Sequence, residues 1–200
     1  MTNRWIPSAA VVAALIATVL SGAFPAAPAR AELPPLIPRE VLFGNPERLE
    51  PQVSPDGNRL AYLRPDTNDV LQVWLRTIGK TDDRQLTQDP KRGIFQYGWT
   101  WNNRELFYLQ DNDGDENFHL YITDLETNET RDMTPIMGVQ ATPRALEPDH
   151  PDELIVEMNR RDRSLMEPWK CDLRTGALTL MADNPGNVRT WHADAQLAIR

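Results

Sequence analysis

Past the first fifty positions, apolar and polar residues alternate in short runs broken by turn-forming clusters, and no stretch keeps a helical period. In Val53-Ser54-Pro55-Asp56-Gly57-Asn58-Arg59-Leu60-Ala61-Tyr62-Leu63 an apolar approach meets a Ser-Pro-Asp-Gly turn, and an alternating run leads out. Pro55 presets φ, Asp56 can bond the backbone ahead, and Gly57 tolerates positive φ. Leu60 and Tyr62 then share one face of a strand, with Arg59 and Ala61 on the other. Val70 to Ile78 reads as a second strand and Arg84-Gln85-Leu86-Thr87 as a third that closes the unit.

The same order of signals recurs. Gln96-Tyr97-Gly98-Trp99 leads to a Trp101-Asn102-Asn103 turn, then to Glu105–Leu109, His119–Ile122 and a close at Arg131–Thr134. A third unit places Ala145–Asp149 at the turn, with strands at Glu153–Glu157, Pro168–Leu173 and Leu178–Met181. A fourth opens at Arg189-Thr190-Trp191 and reaches Gln196-Leu197-Ala198-Ile199. Leu60, Leu106, Leu154 and Leu197 hold equivalent places, spaced 46, 48 and 43 residues apart. Units of four strands at that spacing are the signature of propeller blades. The fold class read here is all-β: an incomplete β-propeller after a signal peptide, with three four-stranded blades (about 50–88, 95–135 and 139–182) and the start of a fourth (187–200). Since propellers close rings of four to eight blades, the expectation is a piece of a longer protein.

Residues 1–31 read as a signal peptide. Arg4 supplies positive charge, Ala9 to Leu20 is an apolar run too short for a span of about 20 residues, and Ala29-Arg30-Ala31 forms an A-x-A cleavage site. The proline-rich stretch 32–49 reads as a connector with one short helical turn at Arg39 to Phe43. The expected location is secreted or periplasmic, with cleavage after Ala31 and no membrane contact afterwards. The chain carries a net charge of −8, and losing Arg4 and Arg30 with the leader takes it to about −10. That excludes a broad nucleic-acid or anionic-membrane surface. Cys171 is the single cysteine, so no intrachain disulfide can form.

Catalytic machinery is not visible in the chain. No serine among Ser8, Ser21, Ser54 and Ser164 has G-x-S-x-G flanks, and His119, His150 and His192 show no metal-ligand spacing. His119 reads as structural. Asp111-Asn112-Asp113-Gly114-Asp115-Glu116-Asn117 is rich in oxygen ligands but fails the calcium-loop pattern, and is expected to be a polar hairpin loop. Asn128-Glu129-Thr130 reads as a turn rather than a glycosylation site. Trp74, Trp99, Trp101, Trp169 and Trp191 are expected in the inter-blade core. No residue is assigned as catalytic, cofactor-binding or metal-ligating, and no cofactor is expected.

Ser54-Pro55-Asp56-Gly57 and Leu86-Thr87 resemble the TolB-like propeller repeat. Phe43-Gly44-Asn45-Pro46-Glu47-Arg48, Val73-Trp74, Tyr108-Leu109-Gln110-Asp111, Gly114-Asp115-Glu116-Asn117, His119-Leu120-Tyr121, Asn159-Arg160-Arg161-Asp162 and Thr175-Gly176 narrow the likeness. With them, Ile37 to Arg200 resembles the N-terminal propeller of exported serine peptidases of the prolyl oligopeptidase family, in the dipeptidyl aminopeptidase and acylaminoacyl-peptidase group. The resemblance implies a propeller that gates access of short peptides to a C-terminal α/β-hydrolase domain carrying Ser, Asp and His, which this chain lacks. The partners it implies are that missing domain and, through it, a peptide substrate. A stand-alone TolB-like periplasmic interaction propeller and a functionless truncated fragment are the alternatives.

Overall fold

The computed structural model describes residues 34–200. The expected signal peptide, with its cleavage site at Ala29–Ala31, falls outside the described residues. Phe43–Arg200 forms one compact unit. The stretch read as a connector holds a short helix, α1 (Arg39–Phe43), at the expected place.

The second unit is almost wholly strand. Twelve strands form three antiparallel sheets of four, each in simple sequential order. Sheet one holds β1 (Leu49–Val53), β2 (Arg59–Pro65), β3 (Leu71–Thr77) and β4 (Arg84–Gln85). Sheet two holds β5 (Tyr97–Trp99), β6 (Glu105–Gln110), β7 (His119–Asp124) and β8 (Thr130–Asp132). Sheet three holds β9 (Ala141–Ala145), β10 (Glu153–Met158), β11 (Glu167–Asp172) and β12 (Leu178–Leu180). These are the blades of a propeller, cut into the units that the sequence repeat marks.

Period-2 side-chain alternation explains how one sheet serves two cores. In β6, Glu105 through Leu109 are all buried. Leu106 and Tyr108 point into a cluster shared with Ala61, Leu63, Val73 and Leu75 of sheet one. Phe107 and Leu109 point the other way, into a cluster shared with Leu154, Val156, Met158 and Trp169 of sheet three. A strand buried on both faces reads as a continuous apolar run, as Leu106-Phe107-Tyr108-Leu109 does.

The turns between first and second strands repeat at atomic detail. Asp56 Oδ1 accepts from Ser54 Oγ at 2.6 Å and from the Asn58 amide at 3.0 Å. Asn102 Oδ1 accepts from Thr100 Oγ1 at 2.6 Å and from the Arg104 amide at 3.0 Å. Gly57 takes φ 74° and Asn103, in the same place, φ 58°. Asparagine tolerates the left-handed region, so the Trp101-Asn102-Asn103 departure keeps the turn.

The fourth unit differs from its expected strand. Between Arg189 and Arg200 the only pairing among the described residues is a single bridge, Ala193 to Ile199. Leu197 is not the counterpart of Leu60, because it sits in the left-handed corner of a turn at φ 57°. Asp194 closes that turn: its Oδ1 accepts from the Gln196 amide at 3.0 Å and the Ala198 amide at 2.9 Å. The capping carboxylate thus claims the residues that the repeat would place in a strand.

Candidate functional site

Each blade has two ends. Turns between strands one and two and between strands three and four lie at one end; the strand two–three loops and the connections to the next blade lie at the other. At the first end, polar side chains cross from one blade to the next.

The seam between sheets two and three opens into a polar cavity of about 530 Å³ lined by residues including Asn102, Glu105, Arg131, Asp152 and Arg174. Glu105 begins β6 and is 7% exposed. It is satisfied from two sides, by Arg131 Nη2 at 3.0 Å and by Asn102 Nδ2 at 3.0 Å. Arg131 continues across the seam, donating to the Leu173 carbonyl at 2.5 Å and the Arg174 carbonyl at 3.1 Å. Asn102 also crosses it, donating to Asp152 Oδ1 at 3.2 Å. Glu105 with Arg131 and Asp152 with Arg174 pair along its lining, so the seam reads as a clamp between blades.

Those carbonyls belong to a repeated turn between third and fourth strands. Asp124 and Asp172 occupy its first place. Asp124 Oδ1 accepts from the amides of Glu126 at 2.9 Å and Thr127 at 3.0 Å, while Asp172 Oδ1 accepts from Arg174 and Thr175, both at 2.9 Å. The Thr127 amide, outweighing burial and joined by the Glu126 amide and Arg104, holds the Asp124 carboxyl at about 2. Leu125 and Leu173 follow, both buried.

At the opposite end, Asp89 is 4% exposed. Its Oδ1 accepts from the amides of Lys91, Arg92 and Gly93 at 2.8, 2.7 and 3.0 Å, and its Oδ2 from Gln110 at 2.9 Å. Burial alone would raise its pKa, but these hydrogen bonds outweigh it and hold the carboxyl below the usual range. The acidic loop 111–117 joins β6 to β7, as the hairpin reading required. Its carboxylates do not converge on a point. Asp111 Oδ2 accepts from the Glu116 amide at 3.2 Å, Asp115 Oδ1 from the Asn117 amide at 3.0 Å, and Asp113 pairs with Lys91 at 2.7 Å. Among the described residues no three acidic, His or Cys side chains group as metal ligands.

The remaining sequence candidates are scattered. Ser54 Oγ is used inside its turn, where it also accepts from the Arg59 amide at 2.9 Å. Ser164 Oγ donates to Asp162 at 2.7 Å. His119 Nδ1 lies 2.8 Å from Asp132 Oδ2, and its ring packs on Tyr121. His150 faces Glu153 at 3.3 Å. Among the described residues no serine bonds a histidine. Cys171 is fully buried, and burial pushes its thiol up to about 12, far from a reactive thiolate.

Of the five tryptophans expected in the core, two meet the expectation, Trp169 inside one cluster and Trp99 packed against the other, while Trp74 and Trp191 are part-buried outside both. Trp99 Nε1 donates to the Gln52 carbonyl at 3.2 Å, and Trp191 Nε1 to Met166 at 3.0 Å. Trp74 and Trp169 lie under the guanidinium groups of Arg64 and Arg160 at 4.7 and 4.8 Å. Trp101 departs from expectation: it is 40% exposed, because it takes the outer corner held by Pro55 in the first turn.

No family model matches the chain. It is 38% identical over 193 residues, 96% of its own length, to dipeptidyl aminopeptidase BIII from Pseudoxanthomonas mexicana. The chain spans 28% of the length of that relative. Among solved structures, TolB from Acinetobacter baumannii matches with a TM-score of 0.54 and 18% identity, covering 75% of this chain and 36% of that one. The β-propeller domain of the trilobed protease from Pyrococcus furiosus matches with a TM-score of 0.52 and 17% identity, covering 74% and 46%. At such identities the two structures speak for the fold, while the sequence relative speaks for descent. The chain is thus a TolB-like propeller portion homologous, along nearly its whole length, to part of a dipeptidyl aminopeptidase, as the likeness to the prolyl oligopeptidase family implies.

Proposed function

We propose that this chain is the substrate-gating propeller portion of an exported serine peptidase acting on short peptides. The catalytic Ser, Asp and His would lie in an α/β-hydrolase domain outside these 200 residues. The observation that supports this reading most is the 38% identity to dipeptidyl aminopeptidase BIII, sustained over 96% of the chain. Blades buried on both faces form stiff walls, a physical basis for admitting an extended peptide while refusing a folded protein. Residues 1–31 would direct export to the periplasm or beyond, and 32–49 would connect to blades one to four. Among the described residues no helix is long and apolar enough to cross a membrane.

An active-site serine probe tests the assignment. The product of the coding region continued past Arg200 should be labelled, within an in-frame G-x-S-x-G; the 200-residue chain should not. Labelling of the short chain, or none of the longer product, would contradict it. The TM-score of 0.54 to a TolB protein supports a second reading, a stand-alone interaction propeller. That reading requires no labelling of any product and a short chain that melts sharply as a monomer.

A further inference from the structure

Strand register fixes which side chains meet at each seam. In sheet two, Glu105 stands opposite Asp124 and Arg131 opposite Ile122, and the two side chains touch at 3.0 Å. In sheet one the same two register positions, opposite Thr77 and Leu75, are Arg59 and Arg84. In sheet three they are Glu153 and Thr179, and Glu153 finds Lys170 at 3.0 Å. A place that holds an acid in two blades therefore holds a second arginine in the first.

Among the described residues neither arginine is hydrogen-bonded to an acid. Arg59 Nη1 donates to the Asn103 carbonyl at 3.1 Å. Arg84 Nη2 donates to the Leu125 carbonyl at 2.6 Å and Nη1 to Asn128 Oδ1. All three acceptors are neutral, and among the described residues neither guanidinium makes an ion pair. Two acids stand nearby without pairing: Asp56, hydrogen-bonded to Ser54 and Asn58, and Asp82, hydrogen-bonded to the Thr77 amide at 2.9 Å, act on Arg59 and Arg84 through space only. Arg84's pKa is lowered, first by burial and then by the charge of Arg59. Both side chains are only half-buried, so the pair is reachable from solvent.

We propose that Arg59 and Arg84, at the turn end of the seam between sheets one and two, form a binding site for one small oxyanion, a carboxylate or a phosphate. Each guanidinium presents a planar fork of N–H donors, and together they use only three of about ten. An anion held between them offsets the mutual repulsion of the two cations with charge-assisted hydrogen bonds. The carbonyls of Asn103, Leu125 and the Asn128 side chain preset both forks, so binding needs little reorganisation.

Calorimetric titration of the full-length protein with inorganic phosphate, and separately with acetate, at constant ionic strength tests this. The expected result is one saturable site for at least one anion, weakened at least tenfold by Arg59→Gln and unchanged by Arg174→Gln on the neighbouring seam. Acetate binding would identify a carboxylate source such as a peptide terminus, and phosphate alone a phosphorylated or inorganic one. The thermal midpoint gives a second readout. Arg59→Glu should melt no lower than the parent protein without anion, yet lose the anion-dependent rise. No saturable binding of either anion, or equal affinity in Arg59→Gln, would overturn the site.

Discussion

The seam between sheets one and two and the seam between sheets two and three use the same strand positions and close differently. The second has thirteen buried core residues against nine in the first, and its rim is neutralised by Glu105 and Arg131. The first is bridged by a different set of polar contacts. Tyr97 lies with its hydroxyl between the carbonyls of Glu50 and Ala61, Asn103 Oδ1 accepts from the Asp56 amide at 2.8 Å, and Arg59 with Arg84 reaches over to sheet two. Blade packing is thus one problem with two solutions. In both seams an arginine of the fourth strand, Arg84 or Arg131, donates to backbone carbonyls of the next blade. What differs is its neighbour within the blade, an acid at Glu105 where the apolar core is larger and a second arginine at Arg59 where it is smaller.

The largest effect should come from the larger core. Leu154→Ala, at a fully buried position, is expected to cost about 2–5 kcal/mol in denaturant unfolding, with Leu75→Ala in the first seam at the low end of that range. The reverse order would remove the contrast between the cores. Next comes Gly98→Ala. A β-carbon there would stand 2.6 Å from Phe107 Cζ, so the ring must move within the second seam, at about 1–3 kcal/mol. An unchanged melting midpoint would mean that Phe107 is less tightly held than its burial implies.

Arg59→Glu gives the first seam the charge pattern of the second. It should raise stability by about 0–1 kcal/mol, the range of an exposed pair, and the gain should shrink in high salt. A clear loss would show that the Asn103 contact outweighs the repulsion from Arg84. The smallest effect concerns pH. Asp124 is held at about 2, below the roughly 4 of an unfolded aspartate. Its folded-state pKa is depressed, so its contribution is full above the unfolded value and fades as pH falls through the folded one. The stability difference between the parent protein and Asp124→Asn should therefore narrow from pH 5 to pH 2. A constant difference would assign the turn to geometry alone.

Much of this was legible in the chain. Turn chemistry at Asp56 and Asn102 placed the blades, and the unbroken run Leu106–Leu109 already carried burial on both faces. Leu197 misled because spacing alone marked it, while the neighbouring Asp194 decided the local backbone. Trp101 misled because an aromatic in a repeat suggests core, whereas its turn corner faces water. The contrast between Arg59 and Glu105 was hidden for another reason: in sequence both are charged residues at the start of a strand. Only strand register shows that each faces an arginine.

The central claim is that these blades gate a catalytic centre for short peptides. The most direct measurement is hydrolysis by the full-length protein of a dipeptidyl anilide beside a folded protein that presents the same two residues at its N-terminus. The account predicts turnover of the anilide and none of the protein. Comparable cleavage of both would contradict gating by the propeller.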